Sequence, residues 1–154
     1  MHLEDKFDVN AEPAEVYAFL TDPRRVSSHM PDVTNVDIQD DDHFSVTARV
    51  GVSHIKGTMV MKLEIRDRQP PVATTVVGRG SGLASVIDMV TSFRLERTGS
   101  QTVVHWRGDV TISGKLAAFG PQGLLERLAG KNIDAFIEGI RKGLQSQAPG
   151  IPAP

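Results

Sequence analysis

The stretch HFSVTARVGVSHIKGTMVMKLEIRD, residues 43–67, decides the fold because it holds two consecutive segments of alternating apolar and polar residues. In the first segment the apolar side runs from Phe44 to Val52, and in the second it runs from Ile55 to Ile65. A period of two residues is typical of β-strands with one buried and one solvated face. The buried side carries no ionisable residue, which raises the question of what such an interior does.

The composition indicates one soluble domain of 154 residues, with ordinary hydrophobic (40%) and charged (23%) fractions. A net charge of −2 gives no basic footprint for nucleic acid, and the absence of cysteine excludes disulfides and thiolate chemistry. The first ten residues are polar, and no apolar run reaches 18 residues. We therefore predict neither a signal peptide nor a membrane-spanning helix, and we expect a cytoplasmic protein.

Helix signals frame the strands at both ends of the chain. Pro13, and Pro23 after Asp22, suit the first positions of two short helices. From Leu116 onward the apolar residues recur at helical spacing, and we expect Pro121 to interrupt that helix near its start. Strands are predicted at 2–10, 31–39, 43–52, from 55 to the prolines at 70 and 71, and at 72–80, 84–97 and 101–114.

The order of these elements predicts an α+β fold. Short turns between the later strands imply an antiparallel meander, and only the long helix is large enough to cover one face of it. We expect a curved antiparallel seven-stranded sheet wrapped on a long C-terminal helix, with two short helices after the first strand. Residues 1–146 would form this single domain, and the proline-rich residues 147–154 would form a disordered tail or linker stub.

By alternation, the inward face of the strands is apolar and carries several small residues, such as Gly78, Gly80 and Gly108. Two interpretations are open. The small residues leave space for a ligand, because protein interiors otherwise pack densely, or they mark bulges where a curved sheet bends. We favour the first, which predicts an apolar ligand cavity formed by Val46, Ala48, Val50, Met59, Met61, Val76, Gly78, Gly80, Ile87, Met89, Trp106, Gly108, Val110, Phe119, Leu125, Leu128 and Phe136.

Two residue types in this set have alternative explanations. The inward methionines, among them Met59 and Met61, suit a flexible isoprenoid or acyl chain, but thioethers also fill irregular cores. Trp106, the only tryptophan, either stacks on a quinone ring or is the largest core residue. Both alternatives stay open at the level of sequence.

No catalytic or metal site is predicted. None of the five histidines has the spacing of a metal-binding helix, and Asp88 and Asp109 fall on outward positions. The inward hydroxyls of Thr74, Ser85 and Thr91 can orient a carbonyl oxygen but supply no proton carrier or nucleophile. The interior is therefore expected to hold an apolar molecule without transforming it.

Several stretches, together and in order, resemble a known family, the G subunit of carbon monoxide dehydrogenase, a CoxG-like branch of the START (SRPBCC) superfamily of helix-grip proteins. They are AEPAEVYAFLTDPRRVSSHMPDV (11–33), VSHIKGTM (52–59), VVGRGSG (76–82), VVHWRGDVTISGKLAAFG (103–120), LLERLAG (124–130) and NIDAFIEGIRKGL (132–144). The resemblance covers nearly all of the chain before its proline-rich end.

The resemblance implies a non-catalytic carrier or adaptor. Such a protein would bind a respiratory quinone (menaquinone or ubiquinone) or a lipid, and would help to recruit a molybdenum-containing hydroxylase of the carbon monoxide dehydrogenase type. A peripheral location at the inner face of the cell membrane is implied as well. Two alternatives remain open: an enzyme of the same fold, such as a cyclase or hydrolase acting on an apolar substrate, and a recruitment module with a filled core.

Overall fold

The computed structural model describes residues 1–52, 54–122 and 124–145, and within them the side chains other than those of residue 52 and residues 119–128. The elements are β1 (His2–Val9), α1 (Pro13–Leu20), α2 (Pro23–Ser27), β2 (Val33–Ile38), β3 (His43–Val52), β4 (Ile55–Gln69), β5 (Ala73–Gly82), β6 (Ser85–Thr98), β7 (Gln101–Gly114), a 3₁₀ helix (Lys115–Gln122) and α3 (Leu124–Gln145). This order confirms the prediction. The expected tail, 147–154, lies outside the described residues.

The seven strands form one antiparallel sheet in the order β1-β7-β6-β5-β4-β3-β2. Strands β2 to β7 pair with their neighbours in sequence, and β1 pairs with the last strand. Because β1 and β2 are the two edges, the sheet is open, and α3 covers one face of it. The predicted fold class is confirmed.

The predicted helix boundaries have visible local causes. The Asp22 side chain accepts a hydrogen bond of 3.0 Å from the backbone N–H of Arg24, which caps α2 one residue before Pro23. Pro121 lies in the 3₁₀ helix that ends at Gln122, just before α3 begins. The expected interruption is therefore confirmed as a change of helix type, which fits a residue that has no backbone donor.

The core has two parts. The larger part joins the sheet to α1 and α3, with Val16, Phe19, Val104 and Ile140 completely buried. The smaller part lies where the 3₁₀ helix meets β4, and its buried members are Ile55, Met59 and Leu116. Between these clusters the inward face of the sheet is only partly covered, which determines where a ligand could bind.

Two glycines of α3 allow the helix to lie against the end of α2. A Cβ atom at Gly139 would lie 2.5 Å from the His29 carbonyl oxygen, and one at Gly143 would lie 2.5 Å from the Phe19 ring. The Phe19 ring itself lies 5.5 Å from the His29 ring, between centroids, and 5.1 Å from the Arg25 guanidinium carbon. Any side chain at these two positions would push α3 away from its neighbours.

The turn between β5 and β6 is strained. Leu83 and Ala84 both have left-handed backbone conformations, with φ values of 52° and 55°. Such angles cost an L-residue about 1–2 kcal/mol relative to glycine, because Cβ approaches the backbone. The Leu83 side chain covers Gly57 of β4, so this residue has a packing role that Ala84, which is exposed, does not share.

We expect Ala84→Gly to raise the free energy of unfolding by about 0.5–1 kcal/mol, because the relieved strain exceeds the entropy that glycine loses on folding. Ala135→Gly is the matched control, since Ala135 is exposed within α3 and glycine there should cost about 1 kcal/mol. Urea denaturation of the two variants measures both effects. Equal destabilisation by both substitutions would show that the turn is not strained.

Candidate functional site

The strand residues predicted to line a cavity share one face of the sheet. Register places them in rows across the strands: Met61 lies opposite Gly80, and Gly78 lies opposite Met89, which is opposite Val110. The face is the one that packs on α3, since its neighbours in the same rows belong to the buried core. It carries Val46, Ala48, Val50, Met59, Met61, Val76, Gly78, Gly80, Ile87, Met89, Trp106, Gly108 and Val110.

The helical part of the predicted site is described only in part. Phe136 of α3 is partly buried and packs against the larger core cluster, on the side that faces the sheet. The side chains of Phe119, Leu125 and Leu128 lie outside the described residues. The role of all these positions in binding a ligand stays a prediction.

Burial differs strongly along the inward face. Phe44 and Leu63 are buried, whereas nine inward side chains on β4 to β7 retain partial exposure. Two of the nine, Ile87 and Ile112, pack against the smaller core cluster, and the other seven make up a partly exposed surface. We call this partly exposed surface the interior site; it consists of Met61, Val76, Met89, Thr91, Phe93, Trp106 and Val110. An apolar surface that faces a helix and yet contacts solvent is the usual form of a ligand site.

Neighbouring side chains cover most of the inward glycines. The Met61 sulfur lies over Gly80 and the Leu83 side chain over Gly57, while Leu63 Cδ2 would lie 2.8 Å from a Cβ at Gly78. The expectation of unfilled space is therefore wrong at these three glycines. At Gly108 it stays a prediction: among the described residues, a Cβ there would have only the Thr91 hydroxyl oxygen, at 3.5 Å, within 4 Å. A larger opening would require movement of methionines, whose side chains adapt readily.

The three inward hydroxyls differ in whether they already have hydrogen-bond partners. Thr74 donates to the Arg66 carbonyl at 3.0 Å, and Ser85 donates to the Leu83 carbonyl at 3.1 Å while it accepts from the Leu116 N–H at 2.9 Å. These two hydroxyls stabilise the backbone and are not available to a ligand. Thr91 has no hydrogen-bond partner among the described residues, so it alone of the three keeps the predicted function.

Two aromatic side chains carry buried polar atoms that lack partners within the described part of the chain: the indole nitrogen Nε1 of Trp106 and the phenol oxygen of Tyr17. An unsatisfied buried donor costs about 1–3 kcal/mol, so each such group needs an explanation. Trp106 packs against the larger core cluster, to which Tyr17 belongs. From the sequence, Trp106 was considered only as an aromatic ring that stacks or packs, and its indole N–H was not considered as a hydrogen-bond donor. Tyr17 was not predicted to have any role.

The ionisable groups with shifted pKa values lie on the surface. A 2.7 Å hydrogen bond to Asp109 raises the pKa of His2, and a 2.8 Å hydrogen bond to Asp40 raises the pKa of His43. The same His43 contact lowers the pKa of Asp40, and the Arg66 side chain lowers that of Glu64. All of these groups are solvated, so none is positioned to act on a molecule held inside the sheet.

The interior site itself carries no ionisable residue; Arg97, which shares the inward register near the end of β6, is exposed and pairs with Glu12. On β1, Asp5 has the inward register, opposite Trp106, but its side chain is exposed and accepts a hydrogen bond from the Lys6 N–H. The interior site can therefore bind apolar surface and offer hydrogen bonds, which is the chemistry of holding rather than of converting a ligand.

The lining of an open groove of about 850 Å³ includes Phe93 and Trp106 of the interior site but consists mostly of polar and charged residues. Outward residues such as Lys6, Ser92, Arg94 and Arg107 line it, so its walls are polar and charged. An apolar ligand would gain little by leaving water there. The apolar interior site is therefore the better candidate for an apolar ligand.

The chain has a START-like helix-grip fold, which solved structures of low sequence identity share. A conserved protein from Geobacillus kaustophilus is 20% identical with a TM-score of 0.87, covering 95% of this chain and 96% of its own. A START superfamily protein from Mycobacterium smegmatis is 10% identical with a TM-score of 0.70, covering 96% and 99%. The Zhui aromatase/cyclase from Streptomyces sp. R1128 is 15% identical with a TM-score of 0.70, covering 99% of both chains.

A match to a protein-family model assigns the chain to one family. Residues 6–145 match the model of the G subunit of carbon monoxide dehydrogenase (CoxG), so the chain belongs to that family. No curated protein matches the sequence. Among the described helices, none is both long enough and apolar enough to cross a membrane.

Proposed function

We propose that this protein is a non-catalytic carrier that binds a respiratory quinone, menaquinone or ubiquinone, or a lipid of similar apolar character, between its sheet and α3. In this role the protein couples a molybdenum-containing hydroxylase of the carbon monoxide dehydrogenase type to the membrane. The carrier itself contacts the membrane from the cytoplasmic side, as a peripheral protein. Membership of the CoxG family supports the choice of enzyme partner.

One observation carries the proposal: inward apolar side chains on adjacent strands remain partly exposed. Met89, Phe93 and Trp106 face α3, where a filled core would bury them completely. The positions Phe44 and Leu63 on the same face show that it can be buried fully. Covering the remaining apolar surface with a ligand would contribute about 25 cal/mol for each Å² removed from water.

The inventory of side chains supports holding rather than catalysis. The interior site offers methionines, aromatic rings and the Thr91 hydroxyl, and none of these is a proton carrier at neutral pH. Methionines can adjust to the isoprenoid chain of a quinone without a fixed shape. Trp106 and Phe93, which lie directly opposite each other on β7 and β6, can contact a ring.

Titration with a short-chain menaquinone analogue tests the ligand part of the proposal. Because Trp106 is the only tryptophan, its fluorescence reports the interior site alone. We expect saturable quenching at one ligand per chain, with an affinity in the micromolar range or tighter, about −8 kcal/mol. Quenching that rises linearly, without saturation, would reflect collisions and would contradict a binding site.

The partner and membrane parts have separate tests. Size-exclusion chromatography with the purified molybdenum hydroxylase should give a joint peak, and sedimentation with vesicles of bacterial lipid extract should carry the hydroxylase down only when this protein is present. Sedimentation of the hydroxylase alone to the same extent would contradict the coupling role. Either result is independent of the quinone titration.

A further inference from the structure

We infer that the ligand carries a hydrogen-bond acceptor, a carbonyl oxygen attached to an aromatic or quinonoid ring, and that Trp106 Nε1 and Thr91 Oγ1 bind this oxygen above Gly108. The inference rests on the proposed function and specifies the ligand class of the same site. It separates a quinone from a purely hydrocarbon ligand and from a lipid held only by its acyl chains.

The first step is the state of the two polar groups. Trp106 Nε1 is shielded from solvent and has no hydrogen-bond partner among the described residues. The Thr91 hydroxyl faces inward, is partly exposed, and likewise has no partner in the described part of the chain. Buried polar groups in proteins are nearly always satisfied, and the exceptions commonly mark a site for water or a ligand.

The second step is their arrangement around one small residue. Gly108 follows Trp106 on the inward side of β7 and lies directly opposite Thr91 of β6. Among the described residues, a Cβ at Gly108 would have only the Thr91 hydroxyl oxygen within 4 Å, whereas side-chain or backbone atoms crowd the Cβ positions of the other inward glycines of β4 to β7. Two hydrogen-bonding groups without partners among the described residues thus flank Gly108, a buried glycine whose Cβ position is not crowded by any described apolar side chain.

The third step is the chemistry that fits. An indole N–H only donates, and a threonine hydroxyl can donate as well, so the complementary atom is an acceptor with two lone pairs. A carbonyl oxygen meets that requirement without placing a charge in an apolar interior. Phe93 lies opposite Trp106, so the ring that bears the carbonyl would contact aromatic surface.

The test compares two ligands that differ only in their oxygens: a short-chain menaquinone analogue and the alkylnaphthalene with the same side chain. Isothermal titration calorimetry is used because Trp106→Phe removes the fluorophore.

We expect Trp106→Phe to weaken binding of the quinone about tenfold, and Thr91→Val to weaken it roughly three- to tenfold, as the loss of one hydrogen bond implies. Both variants should bind the alkylnaphthalene within about twofold of the unaltered protein, since its ring has no acceptor. Thr111→Val, an exposed outward position on β7, is the matched control and should change neither affinity.

The alternative outcomes separate this inference from the proposed function. If Trp106→Phe weakens both ligands equally, the indole contributes packing alone, and the inference is overturned while the carrier role stands. If neither variant alters quinone binding, the carbonyl binds elsewhere, and the inference is again overturned. If the unaltered protein binds neither ligand, the proposed function fails together with the inference. Circular dichroism of each variant establishes that it is folded.

Discussion

Gly139→Leu is expected to lower the free energy of unfolding by about 2 kcal/mol, because the added side chain would overpack the contact between α3 and the end of α2. A Cβ at this position would lie 2.5 Å from the His29 carbonyl oxygen, a backbone atom that cannot rotate aside. Overpacking of this kind costs about 1–3 kcal/mol, and the better helix propensity of leucine returns less than about 1 kcal/mol.

Gly130→Leu is the matched control, because Gly130 lies in the same helix and a Cβ there would have no atom of the described residues within 4 Å. We expect it to raise the free energy of unfolding by about 0.5–1 kcal/mol, since only the propensity gain remains. Chemical denaturation of the two variants should therefore give changes of opposite sign. A stabilising Gly139→Leu would show that α3 does not approach the end of α2 as described.

Gly108→Val is expected to weaken ligand binding at least about tenfold while leaving the fold at least as stable. The added branched side chain would enter the space at Gly108 that faces α3, and valine suits a strand interior better than glycine does. Loss of binding without loss of stability would distinguish this substitution from one that merely disrupts the sheet. Calorimetric titration with the menaquinone analogue, together with thermal denaturation, measures both quantities.

Gly51→Val supplies the control for this substitution. Gly51 is exposed on β3, and among the described residues a Cβ there would meet only the Lys56 side chain, at 3.8 Å. The Gly51→Val variant carries its added valine side chain on the outward face of the sheet, so ligand affinity should not change. Equal affinity of the Gly108→Val variant and the unaltered protein would place the ligand away from β7.

Alternation along the strands was enough to predict the sheet and its inward face. The apolar parity from Phe44 to Ile65 indicated the right face because a strand has a fixed period, and short turns left only an antiparallel order. The helix starts were equally readable, since proline and an N-cap aspartate act locally. These features depend on the few residues around them.

Features that depend on side-chain direction could not be read from the sequence. Gly80 looked like open space, but the Met61 sulfur from the adjacent strand lies over it, and only cross-strand register and rotamers reveal this. Ser85 looked like a ligand group, but its hydroxyl bonds to the turn that contains Leu83 and to the start of the 3₁₀ helix.

The close approach of α3 at Gly139 and Gly143 was also missed. The helix expected from Leu116 onward was predicted from the spacing of its apolar residues, and the two glycines, four residues apart, each directly precede one of these, Ile140 and Leu144. Small residues at this spacing lie on one side of a helix and permit close contact, but the sequence does not show which partner they face. Here the partner is His29, which lies just after a helix of only five residues.

The most direct test of the carrier role is native mass spectrometry of the protein purified from a host that makes quinones, followed by organic extraction and identification of the released molecule. A carrier predicts a one-to-one adduct whose mass matches menaquinone, ubiquinone or a lipid, and the loss of this adduct in the Gly108→Val variant. A bare protein mass that stays unchanged after incubation with menaquinone and ubiquinone analogues would contradict the carrier role, and recruitment of a partner enzyme by a protein with a filled core would then be the better explanation.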